Sequence, residues 1–288
     1  MRCCPRCEAQ FASSTWRCPS CGHEPSVVDG FPAFAPETAT KSGFNASIYD
    51  ELAQLEARNF WFRSRNRLIA WALKRYFGAA RNFLEIGCGT GYVLSGLAAA
   101  VPALKLFGSE VSSSGLGYAS KRVPQAQLMQ MDARSIPFVE EFDVIGAFDV
   151  IEHIEDDGQV LRQIYRALAA NSGVLLTVPQ HPFLWSEYDV RAHHVRRYRA
   201  CELKDKVMDA GFEITRMTSF VTLLLPFMML SRLARRTPER DYDPFAEFRL
   251  SSSANAVLEK ILGLERGLIA SGISFPLGGS LLLVARKR

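Results

Sequence analysis

The sequence predicts a doubly wound α/β protein with a mostly parallel sheet, preceded by a small cysteine-rich module. Three observations carry that prediction. Strand-like and helix-like segments alternate from about residue 82 to the C-terminus, a glycine-dense loop stands at the first strand–helix junction, and five of the seven cysteines fall within the first 21 residues. At 288 residues, with 48% hydrophobic and 22% charged residues, the chain can bury a sizeable core. A formal charge of +4 suits an anionic partner and a solvated surface equally, so charge alone selects no function.

Residues 1–30 are rich in Cys, Pro and Ser without helical periodicity, and residues 31–47 read as a linker. Ile48 to Phe77 then shows a helical apolar pattern with Leu52, Leu55, Phe60, Trp61, Leu68, Ile69, Ala72 and Tyr76. Strands are expected at Asn82–Ile86, Leu104–Glu110, Ala126–Met131, Phe142–Phe148, Gly173–Val178, from Phe212 onward, and at Ser280–Ala285. Helices are expected at Tyr92–Ala100, Ser114–Arg122, Gly158–Ala170 and Cys201–Ala210. Such alternation builds parallel βαβ units. An apolar insertion spans about 222–275, and its run Phe220–Leu230 is too short to cross a bilayer, which needs roughly 20 residues in a helix. Arg232, Arg235 and Arg236 follow that run, so a membrane-facing element stands beside the reading of a buried one.

The N-terminal cysteines form two C-x₂-C knuckles, Cys4-Pro-Arg-Cys7 and Cys18-Pro-Ser-Cys21, ten residues apart. This spacing lets four thiolates close on one zinc ion at about 2.3 Å, which makes the module a zinc ribbon and the ion structural, with no open position for water. Cys88 and Cys201 have no sequence partners and read as buried thiols. Met1 is followed at once by Arg2, Cys3 and Cys4 with no apolar leader, which points to a reducing cytoplasm.

The central motif is Phe83-Leu-Glu85-Ile-Gly87-Cys-Gly89-Thr-Gly91, between an expected strand and an expected helix. A nicotinamide loop reads G-x-G-x-x-G; here the third glycine comes one residue early and Tyr92 takes its place. Glu85 would repel a nearby pyrophosphate but suits an amino-acid end. Glu110 closes the second strand 19 residues after Gly91, where a carboxylate can accept ribose hydroxyls, and Asp132 closes the third, in Met-Asp-Ala133. All three acids fall at carboxyl ends of strands, the ligand-binding edge of open α/β sheets.

On this loop, these acids and the stretch Phe142-Asp143-Val144-Ile145 through Phe148-Asp149-Val150-Ile151-Glu152-His153, residues 48–288 resemble the class I S-adenosylmethionine-dependent methyltransferases. The resemblance implies a Rossmann-like seven-stranded sheet. It also implies cofactor contacts from Glu85, Gly87, Gly89, Gly91, Glu110, Asp132, Ala133 and Phe148. Trp61-Phe-Arg63-Ser-Arg65-Asn-Arg67 is similar to a leader in bacterial small-molecule and lipid-pathway methyltransferases, which offers Arg63 or Arg65 for the cofactor's carboxylate.

A base is required only where the acceptor must lose a proton, as a hydroxyl must. His153, after the fourth strand, is one candidate. Asp149, Glu152 and His153 also resemble the set that holds a divalent ion in ubiquinone-pathway O-methyltransferases. His194 and Tyr198 are the further catalytic candidates. They lie in the dense polar and aromatic stretch after the fifth strand, which runs from His181 through Trp185 and Asp189 to Arg196-Arg197-Tyr198. The fourth strand is not followed by an Asn- or Asp-Pro-Pro-aromatic motif, which argues against methylation of exocyclic amino groups on bases.

The preferred acceptor is therefore a small-molecule or lipid-linked hydroxyl, with peripheral membrane contact through the insertion and no transmembrane segment. Two alternatives stay open: an rRNA methyltransferase gripping nucleic acid through its ribbon, and a non-catalytic module that binds the cofactor and a partner.

Overall fold

The computed structural model describes residues 1–13, 15–39, 46–234 and 245–288. The chain begins with four short strands, β1 (Arg2–Cys3), β2 (Gln10–Phe11), β3 (Ser26–Val28) and β4 (Phe31–Ala33). Two helices follow, α1 (Ala46–Leu55) and α2 (Phe60–Phe77), and then the alternating units begin. These run β5 (Asn82–Ile86), α3 (Tyr92–Ala100), β6 (Lys105–Glu110), α4 (Ser113–Arg122), β7 (Gln127–Gln130) and β8 (Phe142–Phe148). Next come α5 (Asp157–Ala167), β9 (Leu168–Pro179), the short α6 (Glu187–Arg191), α7 (Ala200–Asp209) and β10 (Glu213–Phe220). The insertion supplies α8 (Leu225–Ala234) and α9 (Ser252–Ala270), and β11 (Ser280–Arg286) closes the sheet. Arg235 and Arg236, and the side chain of Arg232, lie outside the described residues.

The sheet order is β10-β11-β9-β8-β5-β6-β7-β4-β3. Its centre is parallel, and β11 runs antiparallel between β9 and β10. Period-two alternation sends successive residues to opposite layers. Thus Phe83 joins the layer under α2, α3, α4 and α9 with Leu73, Leu94, Leu116 and Leu262. Leu84 and Ile86 join the layer under α5 and α7 with Leu161, Ile164, Leu203 and Val207. Both faces are covered, and β5 lies between β8 and β6, where strand order reverses and a cleft opens at the carboxyl edge.

Three expectations need correction, the briefest being Cys201, which is exposed on α7 rather than buried, while Cys88 is buried as expected. Among the described residues the sheet has nine strands, not seven, because β4 adds in parallel to β7 through Ala33 opposite Gln130 and β3 pairs with β4. Residues 31–47 are therefore not only a linker. Without β4, β7 would be an open edge presenting unpaired amides. A three-residue strand carrying Pro32 shows no period from which it could be read. The single helical pattern from Ile48 to Phe77 is two helices, parted where Asn59 turns extended and its side chain accepts the amide of Trp61 as an N-cap.

Candidate active site

The junction of β5 and α3 is built from backbone. Gly87, Gly89 and Gly91 all have positive φ, at +66°, +51° and +75°, which side-chain-bearing residues rarely adopt. A Cβ on Gly87 would lie 2.5 Å from Val150, and one on Gly91 would press at 3.0 Å on Ala119 of α4. A Cβ on Gly89 would meet nothing within 4 Å, so this residue faces open space.

That space belongs to a cavity of about 360 Å³. Glu85, Gly87, Gly89, Thr90 and Tyr92 form one wall, and Phe148, Asp149, Glu152 and His153 a second. Trp61, Phe62 and Arg65 come from α2, Tyr188, His194 and Arg197 from the region around α6, and Leu224, Met228 and Phe248 from the insertion. Glu85 is buried, and its Oε2 has no hydrogen-bond partner. Burial raises its carboxyl well above the usual range, opposed chiefly by the nearby Arg65 guanidinium. Arg65 pairs with Asp149 and stacks 4.5 Å over the Trp61 ring.

The other expected cofactor residues distribute unevenly. Gly91 starts α3 and packs behind the loop rather than lining the cavity. Glu110 ends β6, buried, and accepts the amides of Gly89 at 2.9 Å and Val111 at 2.8 Å. Asp132 accepts hydrogen bonds from Arg134, and Ala133 is buried beside it. Glu110, Asp132 and Ala133 stand at the strand tips and do not line the cavity. Arg63 does not reach it either: its guanidinium pairs with Glu259 of α9. On a helix, residues two apart point to different faces, so of the two arginines offered by the leader, Arg65 is the one in the cleft.

The catalytic candidates separate as clearly. His194 lines the cavity, and its Nδ1 lies 2.8 Å from Oδ1 of Asp189. Asp189 is fully buried and also accepts Arg197 Nε at 2.7 Å and Ser186 Oγ at 3.0 Å. Burial would raise its carboxyl, but hydrogen bonds and charge from His194 and Arg197 outweigh it and hold the group at about 2. Asp189 is therefore a fixed anion that orients the imidazole. The ring of His153 lies edge-on to His194, centroids 4.6 Å apart, and burial followed by the neighbouring His194 lowers it to about 4.

Tyr198 requires a correction. It is fully buried, lies outside the cavity wall and donates its hydroxyl to Asp157 at 2.6 Å, so it has no route to an acceptor. The donor atoms that converge are those of Glu152, His153 and His194, all within 4.8 Å of one another. Asp149, expected in that set, is instead held by Arg65 and by Thr177 Oγ1.

A second polar cluster went unforeseen. Glu56, at the break between α1 and α2, accepts Thr90 Oγ1 at 2.6 and 2.8 Å and Arg122 at 2.6 Å, tying the leader to the glycine loop. These residues are far apart in sequence, and no spacing announces them. At the N-terminus, the Sγ atoms of Cys4 and Cys21 are 3.7 Å apart and those of Cys7 and Cys18 3.6 Å.

Residues 53–216 match the profile of a family described as methyltransferase domain. A probable S-adenosylmethionine-dependent methyltransferase of Mycobacterium tuberculosis is 27% identical over 182 residues, covering 62% of this chain and 65% of that protein. The chain thus spans less than two thirds of that relative's length. A ubiquinone biosynthesis O-methyltransferase of Pseudomonas putida is 26% identical over 51% of this chain and 70% of its own. Among solved structures, Haemonchus contortus phosphoethanolamine N-methyltransferase 2, with phosphomonomethylethanolamine and S-adenosylhomocysteine, superposes with a TM-score of 0.57. That match has 22% identity over 87% of this chain and 59% of that one.

Proposed function

Because the chain belongs to the methyltransferase-domain family, we propose that it takes S-adenosylmethionine into the glycine-loop cleft and methylates a small-molecule or lipid-linked acceptor at a hydroxyl. The observation that carries this reading is that the open face of Gly89 and the Asp189-oriented His194 are walls of one cavity. The residues present fit the cofactor. Glu85 has a bare buried oxygen for an ammonium, Arg65 a cation for a carboxylate, and Gly89 an empty Cβ position for the ligand. The cofactor supplies a methyl group on a sulfonium, a leaving group that needs no protonation.

The remaining work falls to the chain. Trp61, Tyr188 and Phe248 exclude water and hold an apolar acceptor body in line. His194, with Nδ1 committed to Asp189, keeps Nε2 to accept the acceptor's hydroxyl proton, and Asp189 stabilises the imidazolium that results. Helix α8 supports a lipid-linked acceptor. Leu224 and Met228 of this segment line the cavity, whereas Phe227 and Leu230 are 68% and 65% exposed. No described helix is long and apolar enough to cross a membrane. A labelled methyl-transfer assay with fractionated lipids, glycans and RNA tests the reading. Label in the lipid or glycan fraction is expected, and label in RNA alone overturns it.

The N-terminal module is assigned a structural zinc ion at Cys4, Cys7, Cys18 and Cys21. Sulfurs about 2.3 Å from a tetrahedral centre lie about 3.8 Å apart, close to the spacings found here. A second metal reading has its own support, because both carboxylate oxygens of fully buried Glu152 lack hydrogen-bond partners. A divalent ion held by Glu152, His153 and His194 would satisfy them, with Asp189 orienting His194 as an outer carboxylate does for a metal-bound imidazole. Metal analysis separates the two: one zinc per chain leaves His194 as base, and a second ion makes it a ligand.

A further inference from the structure

The N-terminal segment does not hang from the enzyme: the cysteine module is bonded to one end of a loop, and Phe34 and Ala35, just after β4, to the other. On the far side of that loop, the Cys3 amide donates to Pro137 O at 3.0 Å, and the Val139 amide donates to Met1 O at 2.9 Å. On the near side, the Phe34 amide donates to Gln130 O at 2.9 Å. Gln130, fully buried, accepts the Ala35 amide on its Oε1 at 3.1 Å and donates Nε2 to Ala35 O at 2.8 Å and to Val111 O at 3.1 Å. Trp16 joins the two attachments. Its ring lies edge-on against Phe34, centroids 4.4 Å apart, and against Phe138 at 5.2 Å, capped by the Arg2 guanidinium at 4.3 Å.

Between these anchors run residues 131–136, the loop that carries Asp132 and Ala133. Val111, gripped by Gln130, immediately follows Glu110, and the Met131 amide donates to Glu110 O at 3.1 Å. Both acids expected to meet the nucleoside half of the cofactor thus stand on backbone that the N-terminal module braces. The loop's other attachments run to α5, where Gln163 and Arg166 hold Ile136.

We infer that the cysteine module is a clamp on the nucleoside half of the cofactor site, with Trp16 and Gln130 as positioning residues. A segment too short for its own core folds around its metal. The folded ribbon presents Trp16 to Phe34 and Phe138, which flank the loop, and β1 to Pro137. The loop's order then lowers the conformational cost of binding the nucleoside. The inference rests on the S-adenosylmethionine and structural-zinc readings.

The test uses the full chain with its zinc content measured, S-adenosylhomocysteine titrated by calorimetry, and amide exchange followed across residues 131–136. Trp16→Ala is expected to keep its zinc, to bind about tenfold more weakly, which is ~1.4 kcal/mol, and to speed exchange in that loop. In turnover, KM for S-adenosylmethionine should rise with kcat unchanged, and Trp16→Phe should restore the wild-type KM. Chelating zinc from the wild-type chain should give a shift in the same direction. If Trp16→Ala folds poorly, Phe34→Leu trims only one side of the wedge and should give a smaller shift of the same sign. Binding by zinc-loaded Trp16→Ala within about twofold of wild type, with unchanged exchange, overturns the clamp. A wild-type chain that gives no heat at all overturns the cofactor reading instead.

Discussion

The two sides of the cavity are made in different ways. The glycine-loop side is backbone: three positive-φ glycines in five residues, between a strand and a helix adjacent in sequence. The opposite side is side chain, gathered from α2, the α6 region and the insertion, whose contributors Trp61, Tyr188 and Phe248 are sixty residues apart at the nearest. A surface written by backbone tolerates little change, because a Cβ at the wrong place cannot be moved aside. A surface written by side chains can be rebuilt residue by residue around a different acceptor while the cofactor side stays fixed.

The largest effects should therefore come from single methyl groups on the backbone side. Gly87→Ala places a carbon 2.5 Å from Val150 at a left-handed φ. It should cost roughly 2–4 kcal/mol of stability and abolish detectable cofactor binding, measured by thermal melting and calorimetry. Gly89→Ala meets no protein atom. Its stability should fall by only about 1 kcal/mol while binding is lost just as fully, because the added carbon occupies the ligand's space. If Gly89→Ala binds S-adenosylhomocysteine like wild type, the cleft is not the cofactor site.

On the side-chain wall, losses should be catalytic rather than structural. His194→Ala should reduce kcat by about 100-fold or more and leave the cofactor dissociation constant unchanged, read from single-turnover rates and calorimetry. The two arginines of α2 offer a sharper contrast. Arg65→Ala should weaken cofactor binding by about tenfold, the loss of one charge-assisted contact. Arg63→Ala, which removes only a partly exposed pair with Glu259, should stay within about twofold. Equal effects would mean that the helix face has been assigned wrongly.

The same contrast explains what the sequence made legible. The strand Asn82–Ile86, the helix Tyr92–Ala100 and the loop between them were read to the residue, because hydrophobic period and glycine spacing are local signals. His194 could be nominated from its crowded stretch, but its partner Asp189 could not be singled out there, since the bond between them depends on the turn that α6 makes. Arg63 and Tyr198 lie outside the cavity, unannounced by the sequence for one reason. Residue type and proximity in sequence do not reveal which way a side chain faces. The strand β4 was invisible because its reason for forming is the open edge of β7, nearly a hundred residues later.

The smallest expected effect concerns Tyr198, whose burial in the core below the cleft separates it from the chemistry. Its hydroxyl shares Asp157 with Lys206 Nζ, at 2.6 and 2.8 Å respectively, and with Arg196. Burial would raise the Asp157 carboxyl, but hydrogen bonds from Lys206 and Tyr198 and the charge of Arg196 outweigh it and hold the group below the usual aspartate range. A carboxyl depressed on folding contributes stability that is fully present above its unfolded value, near 3.9, and that is lost as pH falls through the folded one. Tyr198→Phe removes one of those donors. It should leave kcat and KM unchanged, lower stability at neutral pH by roughly 1 kcal/mol, and make the difference from wild type shrink as pH drops below about 4. A stability difference that stays constant from pH 7 to pH 3 would mean that the hydroxyl acts by filling space rather than by holding the Asp157 anion, and a fall in kcat would return Tyr198 to the active site.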